Sequence, residues 1–209
     1  MSTLDKLACA LNRRDEVPNQ ELARDLAASR DENGIREVVE GLASKDPAVR
    51  ADCIKVLYEI GYLTPELVAL YALEFVKLLK NRNNRLVWGG MIALSTVAPL
   101  AAVVLHPHLA EIQKAFQSGS VITKDAGVLA LAGIASANSA YNCEIFPILL
   151  EHLRTCRPKD LPQHAEKTLP AVTAKNKADF IAVLEKRMED MLGGQVARVK
   201  KVIKQAEKR

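Results

Sequence analysis

Apolar residues recur along this chain at helical spacing, and the helical pattern itself repeats. Ile35, Val38 and Leu42 stand at i, i+3 and i+7, the buried stripe of an amphipathic helix. Steps of 37 residues carry that triplet to Ala72, Phe75 and Leu79, then Leu109, Ile112 and Phe116, then Phe146, Leu149 and Leu153. Every position in the four triplets is apolar. A second series starts at Cys53, Leu57 and Ile60 and returns as Gly90, Leu94 and Val97, then Gly127, Leu131 and Ile134. One inserted residue later it returns again as Ala165, Leu169 and Val172. The pattern predicts four helix pairs over residues 34–174, each an A helix followed by a B helix. The column Cys53, Gly90, Gly127, Ala165 is small throughout, so helices should approach closely there.

The flanks predict helical caps. Residues 3–11 and 19–30 read as two short helices before the first pair, within an N-terminal cap over 1–33. In a C-terminal cap over 175–209, residues 177–192 carry Phe180, Ile181, Leu184, Met188 and Met191 on one stripe. Gly193 and Gly194 should stop that helix, and a basic amphipathic helix should follow over about 195–208. Pro147 and Pro170 fall where they should kink or shorten their helices. The whole chain, 1–209, reads as a single all-α domain.

The segment from Asp46 to Gly61, Asp-Pro-Ala-Val-Arg-Ala-Asp-Cys-Ile-Lys-Val-Leu-Tyr-Glu-Ile-Gly, resembles the second helix of a HEAT repeat. Asp46 would cap it, Pro47 would take its first position and Gly61 would end it. The likeness fades in later repeats, where Asn83-Asn84 stands for Asp-Pro. The step of 37 also lies below the roughly 40–47 residues of HEAT arrays. The resemblance, to the HEAT/armadillo-type family, implies a right-handed α-solenoid (superhelix) of stacked HEAT-like helix pairs, with the B helices lining its concave face.

Composition agrees with a packed helical protein: 49% of residues are hydrophobic, 26% charged and only 4% aromatic, so aliphatic and small side chains must fill the core. The net charge of +4 does not by itself imply nucleic acid. No Asp, Glu, Lys or Arg lies between Arg85 and Glu111, long enough on length alone to span a bilayer. Gly89, Gly90, Pro99, Pro107 and the repeat register argue instead for a helix, a turn and the next helix. Cys9, Cys53, Cys143 and Cys156 match no zinc or disulfide spacing, and the first residues have no apolar signal core. A reduced, cytoplasmic protein is the expectation.

No catalytic motif is present, and neither cofactor nor metal is expected. His106 and His108 flank Pro107, as in a turn, and no further ligand stands near them; the histidines read as surface residues. Two binding surfaces are expected. One is an uncharged concave centre at Trp88, Gly89, Ile92, Thr96, Ala126, Leu129 and Gly133, which suits a protein partner or self-association. Its rim includes Asp52, Lys55 and Glu59 in the first repeat, and His164, Lys167 and Ala171 in the fourth. The other is a basic edge of A–B turns with Lys80, Arg82, Arg85, Lys124, Arg154, Arg157 and Lys159, extended by Lys200, Lys201 and Lys204, which suits nucleic acid. A remoter option comes from alkylpurine DNA glycosylases built of HEAT-like repeats, which use tryptophan and aspartate. Trp88 and Asp125 share a repeat column here, but the chain has a single Trp where those enzymes use more than one. A non-catalytic protein-binding scaffold is the leading expectation.

Overall fold

A computed structural model describes residues 2–209, and among these the regular secondary structure is helical throughout, without strands. Thr3–Lys6 forms a 3-10 turn. The longer elements follow as α1 (Val17–Ser29), α2 (Glu32–Glu40), α3 (Pro47–Leu63), α4 (Ala72–Leu78), α5 (Asn84–Val97), α6 (Ala102–Leu105), α7 (Leu109–Ser118), α8 (Val121–Ser136), α9 (Ser139–Thr155), α10 (Leu161–Thr168), α11 (Lys177–Met188) and α12 (Gly193–Glu207). The pairs predicted from the periodicity are α2–α3, α4–α5, α7–α8 and α9–α10. No helix among the described residues is long and apolar enough to cross a membrane. The uncharged stretch after Arg85 is α5, a turn, α6 and the start of α7.

The chain groups into two compact units, Met1–Ala130 and Leu131–Arg209. In the first, α3 packs against α1, α2 and α5, and α5 packs on α4. In the second, α9 and α12 both pack on α11, and α10 packs on α9 and α12. The periodic positions are the core. Every A-helix residue of the four triplets is buried except Leu42, which is half-buried, and every B-helix residue of the second series is buried.

The small column works inside each pair. A β-carbon on Gly90 would lie 3.0 Å from the Phe75 carbonyl oxygen and 2.9 Å from Leu78 Cβ. One on Gly127 would lie 2.8 Å from the Phe116 ring. In the first pair the roles reverse: Gly41, after α2, supplies the gap, and a β-carbon there would meet Cys53 Sγ at 2.5 Å. In these three pairs the B helix thus lies close on its own A helix because one of the two has almost no side chain at the crossing.

Caps set the helix starts. Asp46 Oδ1 accepts from the Ala48 N–H at 2.8 Å with Pro47 at the first position, and Asn83 Oδ1 accepts from Arg85 N–H at 2.9 Å. Four expectations need correction. Gly61 does not end α3, which runs on to Leu63; it is a buried close-approach position instead. Gly193 and Gly194 do not stop α11, which closes at Met188, but open α12, where nothing stands near them. Pro147 sits inside α9 without breaking it, whereas Pro170 turns the end of α10 into a 3-10 segment, Leu169–Ala171. The predicted helix over 3–11 is only the short 3-10 turn followed by irregular turns.

Candidate functional site

The B helices of the first unit carry an aromatic and ionic cluster built around Lys55. Two turns of α3 place Lys55, Tyr58, Glu59 and Tyr62 on one face. The Lys55 side chain is 7% exposed, with its ammonium 2.6 Å from Glu59 and 2.8 Å from Glu16, which precedes α1. It also lies 4.9 Å from the centre of the Tyr58 ring. Burial works to lower its pKa, but the bonds from Glu16, Glu59 and Tyr58 outweigh it and hold the pKa above the ordinary lysine range. Tyr58 meets Tyr62 edge-on at 6.0 Å between ring centres and Trp88 of α5 at 6.4 Å. Burial pushes both tyrosine hydroxyls above their usual pKa, and Asp125 of α8 adds to the effect at Tyr62. Tyr62 itself is 59% exposed.

This arrangement changes the expected uncharged surface. Trp88, Ile92, Thr96 and Leu129 are half-buried and reach the surface, but Gly89, Ala126 and Gly133 are buried. Gly89 is closed off because Ile54 of α3 lies 2.9 Å from where its β-carbon would be. In the first repeat, Asp52 and Lys55 are buried rather than exposed, because the N-terminal segment covers them. Cys9 N–H donates to Asp52 at 2.8 Å, and Glu16 reaches Lys55. His164 and Ala171 in the fourth repeat are buried as well. The aromatic contribution of Tyr58 and Tyr62 was missed by sequence reasoning. Its signal was present, since Tyr58 and Tyr62 stand at i, i+4 one repeat before the Trp88 region.

Most of the expected basic edge is neutralised locally. Lys80 pairs with Glu111 at 3.0 Å, holding that carboxyl below its usual pKa, Arg154 pairs with Glu151 at 3.3 Å and Arg157 pairs with Asp160 at 2.6 Å. Arg85 lies 4.0 Å from Glu16. Arg82 and Lys159 are exposed and Lys124 is half-buried. On α12, Lys200, Lys201 and Lys204 are exposed while Val199, Val202, Ile203 and Ala206 face the core. An exposed apolar set lies elsewhere: Leu63 at the end of α3 and Leu70 beyond it, and Leu100 and Val103 after α5. Leu63 and Leu100 are one repeat step apart.

In the second unit, two polar clusters lie beside α9. Asn142 donates to the Ala171 carbonyl at 2.8 Å and accepts from Asn176 at 2.9 Å, tying α9 to the segment after α10. At the other end of α9, Arg187 of α11 donates to the carbonyls of Leu153, Arg154 and Cys156 at 2.6–2.8 Å, capping the helix C-terminus. There His152, Cys156 and His164 come together, with His152 Nε2 2.9 Å from His164 Nδ1. His164 is 5% exposed, so the expectation of surface histidines fails for it. Burial raises the Cys156 pKa, partly offset by Arg187.

No protein-family model matches this sequence, and no curated protein matches it either. Solved structures do. An engineered protein aligns over 100% of this chain and 98% of its own with a TM-score of 0.69 at 21% identity. A designed armadillo repeat protein aligns over 98% of both chains with a TM-score of 0.67 at 14% identity. Another designed armadillo repeat protein, solved in complex with the peptide (KR)4, aligns over 90% of this chain and 86% of its own with a TM-score of 0.68 at 15% identity. The chain therefore has the all-α solenoid fold of HEAT/armadillo-like repeat proteins. At these identities the likeness speaks for the fold alone.

Proposed function

We propose that the chain is a non-catalytic repeat scaffold that binds an extended segment of a partner protein along the face where α3, α5 and α8 expose Tyr62, Trp88, Ile92, Thr96 and Leu129. The observation that carries this reading is the aromatic row Tyr62–Tyr58–Trp88, which joins the B helices α3 and α5 in a chain with few aromatics. Aromatic side chains supply contact area with little rotamer entropy to lose, which is why they anchor interfaces. Ile92 and Leu129 add aliphatic surface beside them. A segment that mixes aliphatic and cationic side chains fits this chemistry, the cations lying over tyrosine or tryptophan faces as Lys55 already does over Tyr58. A designed armadillo repeat protein of similar fold was solved with a Lys/Arg peptide, so a fold of this kind can hold an extended segment.

Peptide display on the full chain tests this, followed by titration of a selected peptide with the fluorescence of Trp88, the only tryptophan, as readout. Saturable binding is expected for the wild type. The double variant Ile92→Asp with Leu129→Asp should keep its helical circular dichroism and lose the binding. Equal binding by that folded variant removes the proposal.

A further inference from the structure

We propose that His152, Cys156 and His164 form a binding site for one Zn2+ ion in the second unit, independent of the peptide-binding face. His152 lies in the last turn of α9, and Cys156, four residues on, is the residue that caps the helix C-terminus beside it. His164 reaches them from α10 across a five-residue connection, residues 156–160. The three ligand atoms, His152 Nε2, Cys156 Sγ and His164 Nδ1, lie within 4.8 Å of one another. A tetrahedral zinc ion with bonds of about 2.1 Å to nitrogen and 2.3 Å to sulfur holds its ligand atoms roughly 3.3–3.6 Å apart. The facing nitrogens, at 2.9 Å, need only open by a few tenths of an ångström, and the sulfur, within 4.8 Å of them, must close by up to about 1.2 Å, a shift that rotation of the Cys156 side chain supplies.

The donor set selects the metal. Two imidazoles and one thiolate suit a borderline-soft ion such as Zn2+ and disfavour Mg2+ or Ca2+, which take oxygen ligands. Each ring presents a lone pair toward the ion, so both imidazoles bind neutral, and the Cys156 thiol gives its proton to solvent as the Zn–S bond forms. Water takes the fourth position. Outer support is in place for the scaffold of the site. Thr168 Oγ1 donates to the His164 carbonyl at 2.8 Å, fixing the turn of α10 that carries the ring. Arg187 holds the Cys156 carbonyl at 2.8 Å, fixing the residue that carries the sulfur. An ion here would clamp the C-terminal end of α9 to α10.

The test is a titration of the reduced, chelator-treated full chain with Co2+, followed by Zn2+. One equivalent of Co2+ should give the visible bands of a tetrahedral ion together with a thiolate-to-cobalt charge-transfer band in the near ultraviolet. Zn2+ should then abolish both and raise the melting temperature. Cys156→Ser should lose the charge-transfer band and His164→Asn should weaken binding. A wild-type chain whose Co2+ keeps the spectrum of the aqueous ion overturns the proposal and leaves the two rings as a hydrogen-bonded pair only. A charge-transfer band that survives in Cys156→Ser also overturns it, since the thiolate would then be Cys9, Cys53 or Cys143.

Discussion

Gly61 of α3 lies directly against the Thr96 side chain of α5, so close that a β-carbon on Gly61 would overlap the threonine hydroxyl and lie 2.9 Å from its Cβ. This contact joins successive B helices, just as the Gly89–Ile54 contact does two turns away. Threonine cannot easily yield, because it is β-branched and its hydroxyl donates to the Ala93 carbonyl at 2.7 Å.

That contact predicts a change of sign. In a helix interior, Gly→Ala gains about 1 kcal/mol from propensity. Overpacking against a stiff neighbour costs roughly 1–3 kcal/mol. Gly61→Ala should therefore destabilise the wild type, yet stabilise the Thr96→Ala background by up to about 1 kcal/mol. Urea denaturation of the four chains in the cycle measures this. A Gly61→Ala effect that is the same in both backgrounds would mean that the two helices do not meet there.

The central leucines of the B helices offer a second check. Leu94 and Leu131 are both 0% exposed. Truncation of either to Ala should cost on the order of 2–5 kcal/mol, the range for deleting well-packed aliphatic groups. Losses below about half a kcal/mol at both sites, the scale of ordinary surface changes, would mean that the repeat register is wrong.

Lys55 predicts a dependence on alkaline pH. Its folded pKa lies above that of the unfolded chain, so the charged side chain contributes stability in full below the ordinary lysine pKa, about 10.4, and loses it as pH rises through the higher folded value. The groups facing it are Glu16, Glu59 and Tyr58, with Arg85 beyond Glu16. Tyr58 and Tyr62 titrate in the same range, so the comparison must be made against a variant. Lys55→Met should flatten the fall in the urea midpoint as pH rises above about 10.4. An unchanged slope would show that the ammonium is not buried between its two carboxylates.

The pairing of Lys80, Arg154 and Arg157 with acids predicts little attraction for phosphates. Gel-shift assays at low salt on duplex and single-stranded DNA should give no complex. A complex whose affinity falls steeply with salt would instead move the function to exposed cations such as Arg82, Lys200, Lys201 and Lys204.

The repeat was legible because packing imposes it directly. A buried stripe needs apolar residues at i, i+3 and i+7, and a close crossing needs a small one, so the triplets and the Cys53 column could be read from spacing. What covers a helix could not be read that way. Asp52 and Lys55 occupy surface positions of α3 within their own repeat, and the irregular residues before α1 reach over to bond both of them. Gly61 was misjudged because a glycine near a helix end can serve as a stop or as a gap, and only the neighbouring α5 decides which. The His152, Cys156 and His164 cluster left one trace, the i, i+4 spacing of His152 and Cys156. The third member is brought in by the α9–α10 turn, which spacing alone did not resolve.

The peptide-binding reading is tested most directly by mapping a display-selected peptide onto the full chain through amide and indole chemical-shift changes. The account predicts the largest changes at Tyr62, Trp88, Ile92 and Leu129, including the Trp88 indole N–H. Changes confined to α12 or to the exposed turns around Leu70 and Val103, with those four residues unmoved, would contradict it.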